Sequence, residues 1–367
     1  MNREYWRNFD FWLLGTVVFL SIFGIVMIRS AIAGNQELAG YDTRQAAFVA
    51  IGFVIMMVTA VMDYHYWQSL TRLMYLFTVF FLLLVFVIGL ASFGAARWLD
   101  TGLVVVQPAE LAKIVMILVL ANYFDKTQKQ PHDLRWIANS FLLTAGVVVW
   151  VFLQPNLSTS IVLFVIWFAL LWMSGLPPKY LVMFGILGVI LPLVAFPFLE
   201  EYQQMRVINF LFPDPNARHG NTFNVDQALI TIGSGGFFGQ GYGHSSQVQL
   251  RFLKVRHTDF IFSAMAAEFG FVGVLIILAL LVFVIIRCLR AAHLANDLFG
   301  ALIAYGFATL IFFQAAVNIS VNLNIIPVTG LTLPFISYGG SSIVSLVFGI
   351  GLVESVVARR KTFDLKT

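Results

Sequence analysis

Charge is what this 367-residue chain has least of: 11% of its residues are Asp, Glu, Lys or Arg, against about 25% in soluble domains. So few charges cannot cover a soluble globular surface, least of all beside 60% apolar residues and a mean hydropathy of +0.88. Cysteine is nearly missing too. Cys288 stands alone, so no internal disulfide can form, and nothing around it suggests reactivity. Basic residues never cluster with interleaved aromatics, which excludes a nucleic-acid footprint, and the net charge of +4 fits membrane orientation better. Internal repeats and low-complexity tracts are also missing. No small-residue cleavage site follows the first apolar run, which therefore reads as an anchor rather than a removed signal.

What the chain has in abundance is apolar runs of spanning length. Stretches of about 20 apolar residues, enough to cross a hydrocarbon core of about 30 Å, recur near 11–30, 44–62, 72–92, 109–124, 136–153, 159–174, 180–199, 260–287, 299–321 and 342–358. The expectation is an all-α polytopic membrane protein of about ten transmembrane helices, a single domain over residues 1–367. Runs of helical length argue against a barrel.

Ten spans put both termini on one side. Arg3, Arg7, Arg72, Lys126, Lys129, Arg135, Lys179, Arg287, Arg290, Arg359, Arg360, Lys361 and Lys366 all fall there, which makes it cytoplasmic by the positive-inside rule. Residues 200–258 then form one large extracytoplasmic loop between the seventh and eighth spans. Its Phe210, Phe212, Phe237 and Phe238 favour a structured, partly membrane-lying segment.

That loop ends in RHTDFIFSAMAAEFG, residues 256–270, which sets Asp259 at the outer lip of a span. Glu268, nine residues on, falls on the opposite helix face and about 13 Å further along the axis. The two cannot act on one atom, and Glu268 reads as a buried partner for a neighbouring helix. His257 and Asp259 could both reach a metal, but no third ligand has diagnostic spacing.

Three more segments map to the same face. In ARWLDTGLVVVQPAELAK, residues 96–113, Pro108 suits a first helical turn, and Glu110 and Lys113 share a face close enough to pair. In NLNIIPVTGLTLPFISYGGSS, residues 322–342, prolines and glycines forbid a continuous helix. Ser337, Ser341 and Ser342 could line a cavity there, or the segment could be a plain connector. GSGGFFGQGYG, residues 233–243, has no Walker lysine and no preceding βαβ pattern, so a hinge or close-approach loop fits better than a nucleotide site. Gln314 and Asn318, four apart, suit interhelical hydrogen bonds.

Basic groups (Arg97, Lys113, Arg256), one well-placed Asp and flexible loops thus gather at the outer headgroup level. Chemistry there cannot draw on cytoplasmic ATP, so a substrate must bring its own leaving group. A lipid-linked diphosphate fits the positive charge.

RWLD (97–100), QPAELAK (107–113), GSGG and GQG (233–241), RHTDFIF (256–262) and LPFISYGGSS (333–342), in this order among ten spans, together resemble the SEDS family (shape, elongation, division and sporulation) of membrane peptidoglycan polymerases. Arg256 before HTDFIF is more similar to the elongation member than to the division member. The resemblance implies a glycosyltransferase that polymerises lipid II, the undecaprenyl-diphosphate-linked disaccharide pentapeptide, onto a growing glycan for elongation and rod shape. It also implies a class B penicillin-binding protein as transpeptidase partner.

The same resemblance implies an essential carboxylate at Asp259 and roles for Glu110, Lys113 and Arg97. Arg256, His257, Thr258, Ser337 and Ser341 join them as candidate substrate-binding residues. The family usually has Asp in a QPDxGT motif where QPNLSTS gives Asn156 and Ser158, and Pro-Glu where Lys254 and Val255 stand. These departures weaken the case for a divalent cofactor, Mg or Mn.

The expected reaction is an inverting transfer in which Asp259 takes the acceptor hydroxyl's proton, while diphosphate oxygens are held from among Arg97, Lys113 and Arg256, the sequence not deciding which. Two readings from other classes stand beside it: a lipid II flippase, and a non-enzymatic scaffold of the wall-synthesis complex.

Overall fold

A backbone in lipid must satisfy its own hydrogen bonds, so the apolar runs become helices. The computed structural model describes residues 3–88, 90–92, 95–100, 105–213 and 221–360, the backbone alone at several of them, Arg97 included. A short α1 (Arg3–Asn8) leads into α2 (Phe11–Ile32), α3 (Tyr41–Val61), α4 (Tyr64–Ile88), α5 (Pro108–Thr127), α6 (Leu134–Leu153), α7 (Leu157–Met173) and α8 (Lys179–Ala195). After α9 (Glu201–Leu211), α10 (Asn221–Ser234) and α11 (Ser246–Gln249), the bundle resumes with α12 (Ile261–Leu294), α13 (Leu298–Asn322) and α14 (Gly340–Ala358).

Eight of the described helices are long and apolar enough to cross a membrane, and α7 is apolar but shorter. With α5, whose 20 residues include Glu110, Lys113, Asp125 and Lys126, they account for the ten runs of the sequence. The chain is an integral membrane protein.

The run placed at 72–92 needs correcting. Its helix starts at Tyr64, where the Asp63 carboxylate accepts the His65 amide (2.9 Å), and ends at Ile88. Leu90–Ser92 is instead β1, paired antiparallel with β2 (Ala95–Asp100), which pairs in turn with β3 (Val105–Val106). Strands this short carry no period that hydropathy could reveal. Within 200–258, the three helices α9 to α11 bear out a structured loop, and α10 packs against α12.

Charged groups at the far end of the bundle fasten its first helix. Asp10 caps α2 through the Leu13 amide (3.1 Å), accepts Arg287 Nε from α12 (2.6 Å), and offers its own amide to Glu354 of α14 (3.0 Å). Asp10 and Glu354 are buried. Removing one partner strands the other's charge, so Arg287→Ala is expected to cost about 3 kcal/mol of stability, read as an earlier unfolding midpoint in detergent.

The glycine-rich segment 233–243 has a definite job. α12 is broken at Gly270, whose φ of 66° and ψ of −168° are open only to glycine. In an unbroken helix Phe271 N–H would donate to Ala267 and Val272 N–H to Glu268. Here Phe271 donates to Gly236 (2.9 Å) and Val272 to Phe237 (3.1 Å), while Ala267 and Glu268 accept from Gln240 (2.9 Å) and Gly241 (3.0 Å). The segment intercepts both helical bonds, completing the close-approach reading. A β-carbon at Gly239 would collide with the Glu268 carbonyl.

Candidate active site

Alternating helices bring the ends of α2, α4, α6, α8 and α13 and the starts of α3, α5, α7, α12 and α14 to one face, and the polar segments meet there. Asp259 lies two residues ahead of α12. Its main-chain carbonyl accepts from Asn318 Nδ2 (3.0 Å) and Asn322 Nδ2 (2.9 Å), both on α13. Asn318 also donates to the Leu331 carbonyl (2.7 Å), and Asn322 Oδ1 accepts from Ser263 Oγ (2.6 Å), so the Asp259 backbone is tied to α12, α13 and the α13–α14 connector together. Gln314, one turn earlier, is buried with both amide atoms unpartnered among the described residues, unlike the interhelical bonding expected of it.

The connector is stapled to the same stretch. Ser337 Oγ donates to the Thr258 carbonyl (2.8 Å), and the Tyr338 amide donates to the His257 carbonyl (2.9 Å). From α3, Gln45 accepts the Gly339 amide (3.2 Å), and Ser341 Oγ accepts the Gln107 amide (3.0 Å) at the mouth of α5. Val255 (φ 51°) and Phe335 (φ 66°) hold left-handed backbone on either side. A β-branched residue is rarely found there, so the surrounding bonds must hold it in place.

Electrostatically the site is unequal. Asp259 as a residue is partly exposed at the rim, but its carboxyl sits among protein atoms, and loss of solvation pushes its pKa up to about 6, against the pull of the Arg206 guanidinium on α9. Burial, aided by the Arg256 charge, lowers His257 to about 4, so its ring is neutral. It packs against Tyr41 and Tyr338, with ring centroids 5.7 and 5.9 Å away.

Two of the candidate diphosphate ligands turn their charge inward. Lys113 is 1% exposed and pairs with Glu110 at 2.7 Å, and Arg256 is 4% exposed, with Nε donating to the Ala31 carbonyl of α2. Lys113 is compensated by the Glu110 carboxylate, whereas Arg256 is held by backbone carbonyls alone, with one Nη buried and unpartnered among the described residues. Ser337 and Ser341 are likewise spent on backbone groups, and Thr258 Oγ1 bonds to the Val255 carbonyl (3.3 Å). The Arg97 side chain lies outside the described residues. Glu268 is buried as expected, taking the Ser30 hydroxyl of α2.

The charge the sequence reading missed is Arg206. Discounting cations in long loops hides it, and its one signal is its place in an amphipathic helix, EYQQMRVINFL. Arg206 donates to the Val328 carbonyl (3.2 Å) and lies over the Tyr202 ring (5.5 Å). Tyr202 donates in turn to Pro155 (2.6 Å), which docks α9 on the α6–α7 turn.

That turn also bears on the divalent ion. Asn156 accepts the Thr159 amide (3.3 Å) as the cap of α7, and Ser158 donates to the Thr329 carbonyl (2.5 Å). No group of three His, Cys, Asp or Glu that could hold a metal exists among the described residues.

Comparison with known proteins settles the family. The model of the cell cycle protein family of FtsW, RodA and SpoVE matches residues 11–362. The chain belongs to this family. Peptidoglycan glycosyltransferase MrdB of Escherichia coli K12 is 35% identical over 363 residues, 98% of this chain and 97% of that one. A probable peptidoglycan glycosyltransferase FtsW of Geobacter sp. strain M18 is 33% identical over 364 residues, 97% of this chain and 98% of its own.

Among solved structures, the rod shape determining protein RodA of Thermus thermophilus is similar with a TM-score of 0.71 and 30% identity, covering 96% of this chain and 98% of that one. A chain of a peptidoglycan synthase complex, solved to explain how polymerisation and crosslinking are coordinated, is similar at a TM-score of 0.81 and 31% identity. It covers 95% of this chain and 97% of its own. The ordered motifs that suggested the family thus belong to a FtsW/RodA/SpoVE-type fold along nearly the whole chain.

Proposed function

We infer that this protein is a peptidoglycan glycosyltransferase that polymerises lipid II into glycan strands for elongation and rod shape. Its site faces the outside of the bacterial cytoplasmic membrane and both termini lie in the cytoplasm. The observation that carries this reading is Asp259: partly exposed, fixed through its carbonyl, with its carboxyl raised to about 6 next to a guanidinium.

An acceptor hydroxyl oxygen attacks the anomeric carbon of the donor sugar. The carbon–oxygen bond to the lipid diphosphate breaks, the diphosphate leaves with the electron pair, and Asp259 takes the hydroxyl proton. One displacement inverts the anomeric carbon, so no covalent enzyme intermediate is needed. A group with a pKa near 6 is ionised at neutral pH yet basic enough to accept a proton in the transition state.

The break in α12 beside Glu268 is closed by backbone bonds from the 236–241 segment, and the other polar groups of the site gather around Asp259 at one end, which favours transfer over transport through the midplane. A class B penicillin-binding protein is the proposed transpeptidase partner, in keeping with the synthase complex whose chain shares this fold. The expected result is glycan ladders on a gel from purified protein, its partner and lipid II. The initial rate should climb with pH through about 6 and level off above 7, since only ionised Asp259 accepts a proton. A rate unchanged between pH 5 and pH 8 contradicts the assignment of the base.

A further inference from the structure

Between α9, α10 and the end of α13 lies a cavity of about 80 Å³, whose walls include Arg206, Asn209, Phe210, Asp226, Asn324 and Val328. Its lining narrows the ligand. An anion meets the Asp226 carboxylate, and a free cation meets Arg206. An acyl chain would strip water from four polar side chains without replacing their hydrogen bonds. A neutral ligand rich in hydroxyl and amide groups satisfies them all, because asparagine amides both donate and accept, Arg206 donates and Asp226 accepts. The apolar walls suit the carbon–hydrogen face of a sugar ring. The space admits a ring edge or an acetamido group rather than a whole disaccharide.

Position narrows it again. Arg206 donates to the Val328 carbonyl (3.2 Å), and two residues along the same segment a β-carbon at Gly330 would lie 4.0 Å from Asp259 Oδ2. Residues 328–330 therefore run from the cavity to the neighbourhood of the Asp259 carboxyl, which places the cavity beside the segment that flanks the proposed base. Of the two sugars in a glycosyl transfer, only the acceptor gives up a proton.

We propose that this cavity is the subsite for the acceptor sugar, holding its hydroxyl or acetamido edge between Asn209, Asp226, Asn324 and Arg206. The proposal rests on the polymerase reading and adds to it the place and chemistry of acceptor recognition.

The test uses the purified full-length protein with its partner, saturating labelled lipid II, and a short lipid-free glycan of N-acetylated disaccharide units as acceptor. Label transferred to the glycan gives KM and kcat for the acceptor alone. Asn209→Ala and Asp226→Ala remove the hydrogen-bonding groups at a partly exposed and an exposed position, and each is expected to raise the acceptor KM by about tenfold with kcat within about twofold. Saturation-transfer NMR of the same glycan in detergent gives a readout independent of turnover, and contact seen with the parent should weaken in both variants. Unchanged KM and unchanged contact in both variants, at parental unfolding midpoints, overturn the subsite. A parent that makes contact with the glycan but transfers no label to it and makes no polymer overturns the polymerase reading instead, while loss of that contact in both variants would still support the subsite.

Discussion

Asp259→Asn protein is expected to polymerise lipid II at least about a hundredfold more slowly than the parent, the lower range of what a positioned general base contributes. The substitution is nearly isosteric, and the bonds that hold this residue, from Asn318 and Asn322, reach its main-chain carbonyl rather than its side chain. Folding should therefore be spared: the unfolding midpoint in detergent should stay within a few degrees, and complex formation with the transpeptidase should persist. Loss of turnover with fold and partner retained separates a chemical role from a structural one. Asp259→Asn protein polymerising at the parental rate would refute the mechanism.

A companion variant tests the electrostatics. Arg206 is the charge that opposes the rise in the Asp259 pKa, so Arg206→Gln removes the opposition. The carboxyl then holds its proton to higher pH, and the acid limb of the rate profile moves upward. A limb that stays in place separates the two groups.

The second large effect concerns Gly270. Its φ of 66° and ψ of −168° lie where side chains are excluded, and a β-carbon there would strike the Gly239 amide and the Phe237 carbonyl. Backbone strain of this kind costs on the order of 1–3 kcal/mol before any clash, and separating the segments would break four backbone hydrogen bonds at about 1 kcal/mol each. Gly270→Ala is expected to lower stability by more than about 3 kcal/mol, seen as low yield and aggregation on gel filtration. Ala267→Gly, on the same helix but outside the strained position, should leave the protein assembled. A Gly270→Ala protein as stable as the parent would mean that α12 can close its break.

How much of this could be read beforehand depended on what each feature imprints on sequence. Ten helices left ten apolar runs because lipid enforces composition over about 20 residues. Asp259 stands out in the sequence because a carboxylate at the mouth of such a run has a burial cost that calls for a reason. The pairing of Glu110 with Lys113 followed from helical spacing alone, and the structure shows it. The short sheet of residues 90–106 was not legible, since its pairing lies between segments.

Arg206 and the two asparagines that fix Asp259 share that difficulty. Residues 59 and 63 positions away from Asp259 hold its carbonyl, and only folding brings them together. Arg256 shows the same limit: it lies three residues from Asp259 in sequence, yet its side chain turns back toward α2 and is enclosed.

The seam between α12 and residues 236–241 also bears on how this protein could be re-engineered. Donors and acceptors are exchanged two for two across it, so the loop serves as the absent turn of the helix. A graft that moved the loop alone into a relative would leave carbonyls stranded in hydrocarbon, and so would one that moved the helix alone. The two travel as one part although some thirty residues separate them along the chain, and the unit of exchange is this pair of strands of backbone rather than either stretch of sequence.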